Sequence, residues 1–422
     1  MKIAFVFPPI WTAHSDGSLQ IWNREVTTRL ARSHDVLVYS GIFDSDPPDS
    51  VIDGVRHRRF SRRLDNRLIK RYQYIHSALR IERPLFSTDL WYTAYALKIA
   101  MDLRKQSCDV VHVYNYPQFA WLIKRLNPKL RVVLNMHGEW LTQIAFTNLY
   151  QRLRELDLIV SCSNFITEST AAKFPDLANR CKTVPMGVSP ELFTVADHGP
   201  RPDSCAPRKL LYVGRISPEK GVHDMLDAFE LVCRQYSDAT LTVVGPEWVA
   251  PREHIVDLSL DESLISRLAP FYENGYLSKL KQRLSPAAAK QVTFTGLVPY
   301  AGIAKYYADA DIYISPSLYE SFGMSVIEAM TAGVPVVSTR AGAAPELISD
   351  RQSGLLVDLA NPESIADAVI RLFQDPVLCA SISRVARDNV SRAYSWEAIG
   401  STLTQLYDAA LTTHAPAASY AY

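Results

Sequence analysis

Short apolar runs rich in β-branched residues recur along almost the whole chain, and helix-period stretches lie between most of them. In the first half these runs are KIAFVF, DVLVYSG, GVRHRRF, DVVHVYN, RVVLNMH, DLIVSCS and KTVPMG. In the second they are KLLYVGR, ATLTVVG, QVTFTG, DIYISPS, PVVSTR and GLLV. GVHDMLDAFELVCRQ and PESIADAVIRLFQ show the 3.6-residue spacing of amphipathic helices. Such alternation, with strands apolar on both faces, calls for parallel sheets covered by helices on either side.

At 422 residues the chain is too long for one typical domain. Residues 190–208 carry four prolines and no periodicity, and 191–208 reads as a linker. The expected organisation is therefore α/β throughout: a doubly wound domain over 1–190 and a second over 209–394. A last amphipathic helix over 395–413 and a loose tail, HAPAASYAY, follow. Ligands in open parallel sheets bind beyond the carboxyl ends of the strands, so two facing sheets are expected to form an interdomain cleft.

The charge balance and cysteines narrow the function. Net charge is +1, so no global field argues for nucleic acid as a partner. The six cysteines have neither CxxC nor His-rich spacing, which suggests neither a disulfide framework nor a zinc site. MKIAFVFPPI is interrupted by prolines too early for a signal peptide, and no apolar run approaches the roughly 20 residues of a membrane span. A cytoplasmic location is expected.

Two motifs carry chemistry. In YVGRISPEKG, a strand ends at Gly214 and a helix begins near Gly221, so the turn presents Arg215 and Lys220 beside a helix N-terminus. A planar guanidinium fork and a point-charge ammonium suit a diphosphate. In SPSLYESFGMSVIEAMTAG, a strand ends near Ser315, Gly323 permits close backbone approach, and a helix starts around Met324. Its free amides and positive dipole end favour an anion. Glu320 and Glu328 flank that point and can accept hydrogen bonds from paired hydroxyls. By themselves these are also ordinary loop cations and surface glutamates; their shared context gives them weight.

Gly214–Arg215, Glu219–Lys220–Gly221, the span PSLYESFGMSVIEAMTAGVPVVST with Glu320 and Glu328, and AGAAPELI together resemble retaining glycosyltransferases of the GT4 type. VPMGVSPELF and YSWEAI extend the resemblance over nearly the whole chain. It implies the GT-B fold, two facing Rossmann-like domains with a C-terminal helix crossing back to the first. It implies that Arg215 and Lys220 hold the diphosphate of a UDP- or GDP-sugar and stabilise it as it leaves. Glu320 would bind the transferred sugar, with backbone amides around Phe322, Gly323 and Met324, and Glu328 the ribose. Val298 would contact the base, Gly17 in WTAHSDGSLQ would approach the diphosphate, and His137 in NMHGEW would contact the sugar near its reacting centre. The donor is then a co-substrate, with neither a cofactor nor a metal. DSDPP at 44–48 only superficially offers a DxD-type pair and reads as a turn. His14 has no such support, and His112 reads as structural. The sequence departs from the pattern in its single loop glycine, Gly17, in Met186, in Gly138–Glu139 after His137, and in a long stretch from Glu247 to Leu284.

The first domain would recognise the hydroxyl acceptor. There, 56–71 holds eight Lys or Arg against one Asp, with aromatics following. It reads either as a patch for an anionic membrane or phosphate-bearing acceptor, or as a solvated helix face beside core aromatics. Two rival functions remain at this stage: a nucleotide-sugar epimerase, which would turn over donor without acceptor, and a noncatalytic nucleotide-sugar binder. A dehydrogenase is disfavoured because no GxGxxG follows a strand.

Overall fold

The computed structural model describes residues 1–10, 17–43, 46–78, 84–193, 208–249, 251–256, 258, 262–272 and 275–412. His14, Asp44, most of the linker and the tail lie outside them. The chain forms two compact units.

The first unit comprises Met1–Pro185 and the last helix, Trp396–Thr412. Its strands are β1 (Lys2–Val6), β2 (Asp35–Gly41), β3 (Asp49–Ile52), β4 (Val55–Phe60), β5 (Val110–Tyr114), β6 (Arg131–Met136), β7 (Leu158–Ser161) and β8 (Cys181–Thr183). They lie in the order β3-β4-β2-β1-β5-β6-β7-β8. Among the described residues only the β3–β4 pair is antiparallel. Ile3, Ala4 and Phe5 are wholly buried, as are Val110, Val111 and Val113, so the central strands have no polar face. Four helices matter here: α1 (Ser18–Leu30), α2 (Arg63–Ala78), α3 (Thr93–Gln106) and α4 (Pro117–Leu126). The last helix packs on α1, and buried Tyr407 meets His112 Nδ1 at 2.8 Å. Burial pulls the His112 pKa down to about 3, so this histidine is a neutral core group. Helix 396–412 is therefore a structural part of the first unit.

The second unit, Met186–Ser395, holds β9 (Lys209–Val213), β10 (Thr240–Val244), β11 (Val292–Gly296), β12 (Ile312–Ser315), β13 (Val336–Thr339) and β14 (Leu355–Val357). They form one sheet in the order β11-β10-β9-β12-β13-β14, every pair parallel. Leu210, Tyr212, Leu241 and Val243 pack with Met225 and Phe229 of the helix Val222–Gln235 to make its core.

The unit boundary falls at 185/186, before the expected 190. Val188 N donates to Tyr394 O at 2.8 Å, and Pro190–Phe193 forms a short helix. Phe193 is fully buried edge-on against Tyr300 and Tyr307. Such burial contributes roughly 1.5–3 kcal/mol, enough to draw the segment 186–193 into the second unit. The first three residues of the expected linker, 191–193, are thus packed structure.

The basic stretch 56–71 divides. Arg56 pairs with Asp35 at 2.6 Å, and Arg58 pairs with Asp102 at 2.8 Å. Arg59 is buried, donating to Pro47 O and Ser50 Oγ, and the Arg62 guanidinium lies 3.9 Å over Phe43. Four of the eight cations are therefore engaged by the fold. Arg63, Arg67, Lys70 and Arg71 stand exposed on α2, together with Leu64, Leu68 and Tyr74. At 100° per residue the four cations and Tyr74 share one outward face, opposite buried Asp65 and Ile69.

Candidate functional site

The second sheet reverses its winding between β9 and β12. At such a switch point the loops after the two strands part and leave a crevice at their carboxyl ends. The loop after β9 carries Arg215, Glu219 and Lys220; the loop after β12 carries Glu320. Side chains one hundred residues apart in sequence meet here: Lys220 Nζ donates to Glu320 Oε2 at 2.8 Å. Arg215 Nη2 donates to Glu219 Oε1 at 3.0 Å.

Backbone contacts hold the two loops together. Leu318 N and Tyr319 N both donate to Glu219 O, at 2.9 and 3.3 Å. Gly221 adopts φ +65°, and a Cβ there would sit 1.9 Å from Pro316 O. Both the left-handed backbone and the close approach require glycine. On the other side, Gly342 (φ +48°) passes Glu320 O so closely that a Cβ would lie 2.0 Å from it, and Ala343 N donates to that same oxygen at 3.1 Å. Glu320 is thus gripped by its backbone as well as by its carboxylate.

The two glutamates titrate in opposite directions. Burial alone would raise the Glu320 pKa, but the Lys220 charge and hydrogen bond, with donors from Phe322 and Ser317, hold it below the usual carboxylate range. It is an anion. Glu328 lies one turn into the helix Met324–Thr331 and is buried. Its Oε2 accepts from Tyr307 OH at 2.8 Å. Burial pushes its pKa up to about 7, with Tyr307 and Tyr300 opposing. Gly323 caps that helix, Phe322 is buried edge-on to Tyr394, and Met324 opens the first turn. Val298 follows β11, beyond its carboxyl end.

In the first unit the corresponding reversal lies between β1 and β5. Gly17 caps the N-terminus of α1 with an ordinary φ of −73°, and a Cβ there would meet only the flexible Gln20 side chain. The fold itself does not demand glycine at 17. His137 follows β6, and its amide donates to Asn115 Oδ1 at 2.9 Å. The ring stacks on Tyr114 with centroids 6.0 Å apart and stands edge-on to Trp22 at 5.7 Å. Burial lowers its pKa to about 3, so the imidazole is neutral. Its Nε2 is buried with no hydrogen-bond partner among the described residues, as is that of the core residue His112.

The structure therefore brings Arg215, Lys220 and Glu320 together, with Phe322, Gly323 and Met324 adjoining. Gly17 and His137 lie in the other unit. Sequence reading missed three side chains that support this set: Tyr307, which holds Glu328, and Tyr272 and Trp248, which hold Glu219 and Arg215. A buried tyrosine needs a hydrogen-bond partner, which was the available signal for Tyr307. Among the described residues no cluster of His, Cys, Asp or Glu could hold a metal ion.

Comparison with known proteins bears on the family and the fold. Residues 204–389 match the model of the glycosyl transferases group 1, and residues 19–192 that of glycosyltransferase family 4. A putative glycosyltransferase, YtcC of Bacillus subtilis, is 26% identical over 98% of this chain and 93% of its own. Among solved structures, sucrose-phosphate synthase from Thermosynechococcus elongatus superposes with a TM-score of 0.65 at 20% identity, covering 97% of this chain and 98% of that one. Anabaena HepE, solved with UDP and glucose, gives 0.69 at 17% identity, covering 97% and 100%. The fold is GT-B, and the chain belongs to the group 1, family 4 glycosyltransferases.

Proposed function

We propose that this glycosyltransferase moves a sugar from a UDP- or GDP-sugar to a hydroxyl acceptor, with retention of anomeric configuration. The observation that supports this most directly is the Lys220–Glu320 pair beside Arg215 at the switch point. Breaking the anomeric C–O bond builds negative charge on the departing diphosphate and oxocarbenium character on the sugar. Arg215, Lys220 and the amides opening the helix Met324–Thr331 address the first as fixed, preorganised charges. Glu320, an anion in place before the donor arrives, would accept hydrogen bonds from the sugar's hydroxyls. Glu328 would bind the ribose, and the neutral His137 would contact a sugar hydroxyl rather than form an ion pair.

In this reading the acceptor oxygen attacks from the face the diphosphate leaves. The C1–O(phosphate) bond breaks, the C1–O(acceptor) bond forms, and the acceptor proton passes to the departing phosphate oxygen. Protein cations carry the charge that a metal supplies in other transferases, so activity is expected to survive chelation. The test begins with a thermal-shift panel of UDP, GDP and ADP with their sugar conjugates. A ligand at a hundred times its Kd adds about 2.7 kcal/mol, a readily visible shift. NMR of the product's anomeric proton then decides between retention and inversion. Turnover of donor without any acceptor would replace this reading with an epimerase.

For the acceptor side, the outward face of α2 supports contact with an anionic membrane. Juxtaposed cations each contribute about 1 kcal/mol at such a surface, and Leu64, Leu68 and Tyr74 offer apolar contact beside them. No helix among the described residues is long and apolar enough to cross a membrane, so the contact would be peripheral. Reversing Arg67 and Arg71 to Glu should abolish sedimentation with phosphatidylglycerol vesicles. Equal sedimentation of both proteins would remove the membrane from this reading and leave the transferase intact.

A further inference from the structure

The long connection between β10 and β11 has no role in the reading above, yet one of its side chains lies on Arg215 and another on Glu219, the partner of Arg215. It is docked at its start: Ile216 N donates to Pro246 O at 2.9 Å, and Ile216 bridges to Glu247. Glu247 Oε1 in turn accepts from Leu277 N at 3.0 Å. Trp248 lays its indole against Arg215, with Cζ 4.6 Å from the ring centroid. Tyr272 OH donates to Glu219 Oε2 at 3.1 Å. Its neighbour Phe271 stacks on His223 at 4.1 Å and 27°, which anchors this turn of chain.

Glu219 is the joint of the arrangement. It is 1% exposed and accepts from Arg215 on one oxygen and from Ser217 Oγ and Tyr272 on the other. A buried carboxylate that accepts on both oxygens has one orientation, and the guanidinium bonded to one of those oxygens is held with it. Arg215 itself is 33% exposed. Without such a brace its long side chain would sample many rotamers beside water.

We infer that the β10–β11 connection belongs to the diphosphate site: Tyr272 is a positioning residue that sets Arg215 through Glu219, while Trp248 covers the guanidinium's face. This rests on the reading that Arg215 holds the donor's diphosphate. The chemistry recognised is the diphosphate itself, whatever base and sugar it carries. Tyr272 stays a donor across the physiological range because burial and the Glu219 charge both raise its pKa.

The experiment measures binding of inorganic pyrophosphate, UDP and GDP to the full chain by calorimetry. It compares the natural protein with Tyr272→Phe, Trp248→Ala, Arg215→Ala and the Tyr272→Phe/Arg215→Ala double variant. Tyr272→Phe should stay folded and bind the diphosphate probes about tenfold more weakly. Trp248 is largely exposed, so its loss should leave the fold intact and weaken the same probes about threefold. With Arg215 already Ala, removing the Tyr272 hydroxyl should cost less than about twofold, because the two act as one unit. A merely structural tyrosine would weaken binding equally in both backgrounds, and that result overturns the inference. If Arg215→Ala weakens binding and Tyr272→Phe does not, the relay fails and the donor reading stands. If the natural protein binds none of the three probes, both fall together.

Discussion

The two sheets reverse their winding at equivalent places, β1/β5 in the first unit and β9/β12 in the second, yet the two points are furnished differently. The second holds charge: Arg215 with Glu219 and Lys220 with Glu320, the first carboxylate fully buried and the second largely so. At the first, Trp22 and Tyr114 pack around the imidazole of His137, which burial keeps neutral, and Asn115 grips its backbone. Topology supplies a crevice in each unit; only side chains decide what it can do. The charged one suits a leaving anion, and the neutral aromatic one suits hydroxyl-rich rings.

The sharpest way to break that contrast is Lys220→Ala. If the charged switch point stabilises the departing diphosphate, kcat should fall about 10²–10³-fold with the fold unchanged, the size seen when one preorganised donor is removed. Near-natural turnover would move leaving-group stabilisation elsewhere. Gly221→Val attacks the same point through the backbone. A side chain there meets Pro316 O and an unfavourable φ, so the second unit should lose about 2–3 kcal/mol, read by urea unfolding. At the neutral switch point, His137→Ala should lower kcat about tenfold or more, whereas His137→Gln, which keeps a hydrogen-bonding group, should recover part of it. An acid limb near pH 6.5 that vanishes in His137→Ala would show the imidazole to be titrating there, against its burial.

The difference between the two points also separates what was readable beforehand from what was not. The parallel strands were legible because their apolar runs are continuous, a direct consequence of burial on both faces. β3 was not: DSVI is an exposed edge strand with no alternation. Its one clue was the Asp53–Gly54 dipeptide, both residues with positive φ, as a two-residue hairpin turn requires. Arg215, Lys220 and Glu320 were legible because loop motifs keep their local spacing. The Glu219–Tyr272 contact spans 53 residues, and nothing in a linear pattern announces such a meeting. The domain boundary was misplaced because 190–193 has too few residues to show a period, while a single buried Phe193 fixes its allegiance. The basic stretch could not be apportioned for a related reason: composition counts charges, and only the fold shows that half of them already have partners.

The smallest expected effect tests the contrast through pH. His137, with its pKa lowered to about 3, binds fewer protons folded than unfolded between that value and about 6.5. It therefore removes stability as the pH falls. Glu328, raised to about 7, binds more protons folded than unfolded between about 4.5 and 7. Its contribution is fully present below the unfolded pKa and is lost as the pH rises through the folded one. Glu328→Gln keeps an acceptor for Tyr307 and cannot ionise. The unliganded variant should therefore gain in Tm relative to the natural protein as pH goes from 5 to 8, and the difference should shrink toward pH 5. Asp224, raised to about 6 by burial, has the same sign but is common to both proteins and cancels in that difference. A ribose that donates to the Glu328 carboxylate would favour its ionised form, so UDP or GDP binding should strengthen more between pH 5.5 and 7.5 in the natural protein than in Glu328→Gln, where only the terminal phosphate's own ionisation near pH 6 acts. If Tm tracks the ionisation of Glu328 while nucleotide affinity ignores it, this buried acid is a core group held by its tyrosines, and the ribose is bound by other atoms of the same switch point.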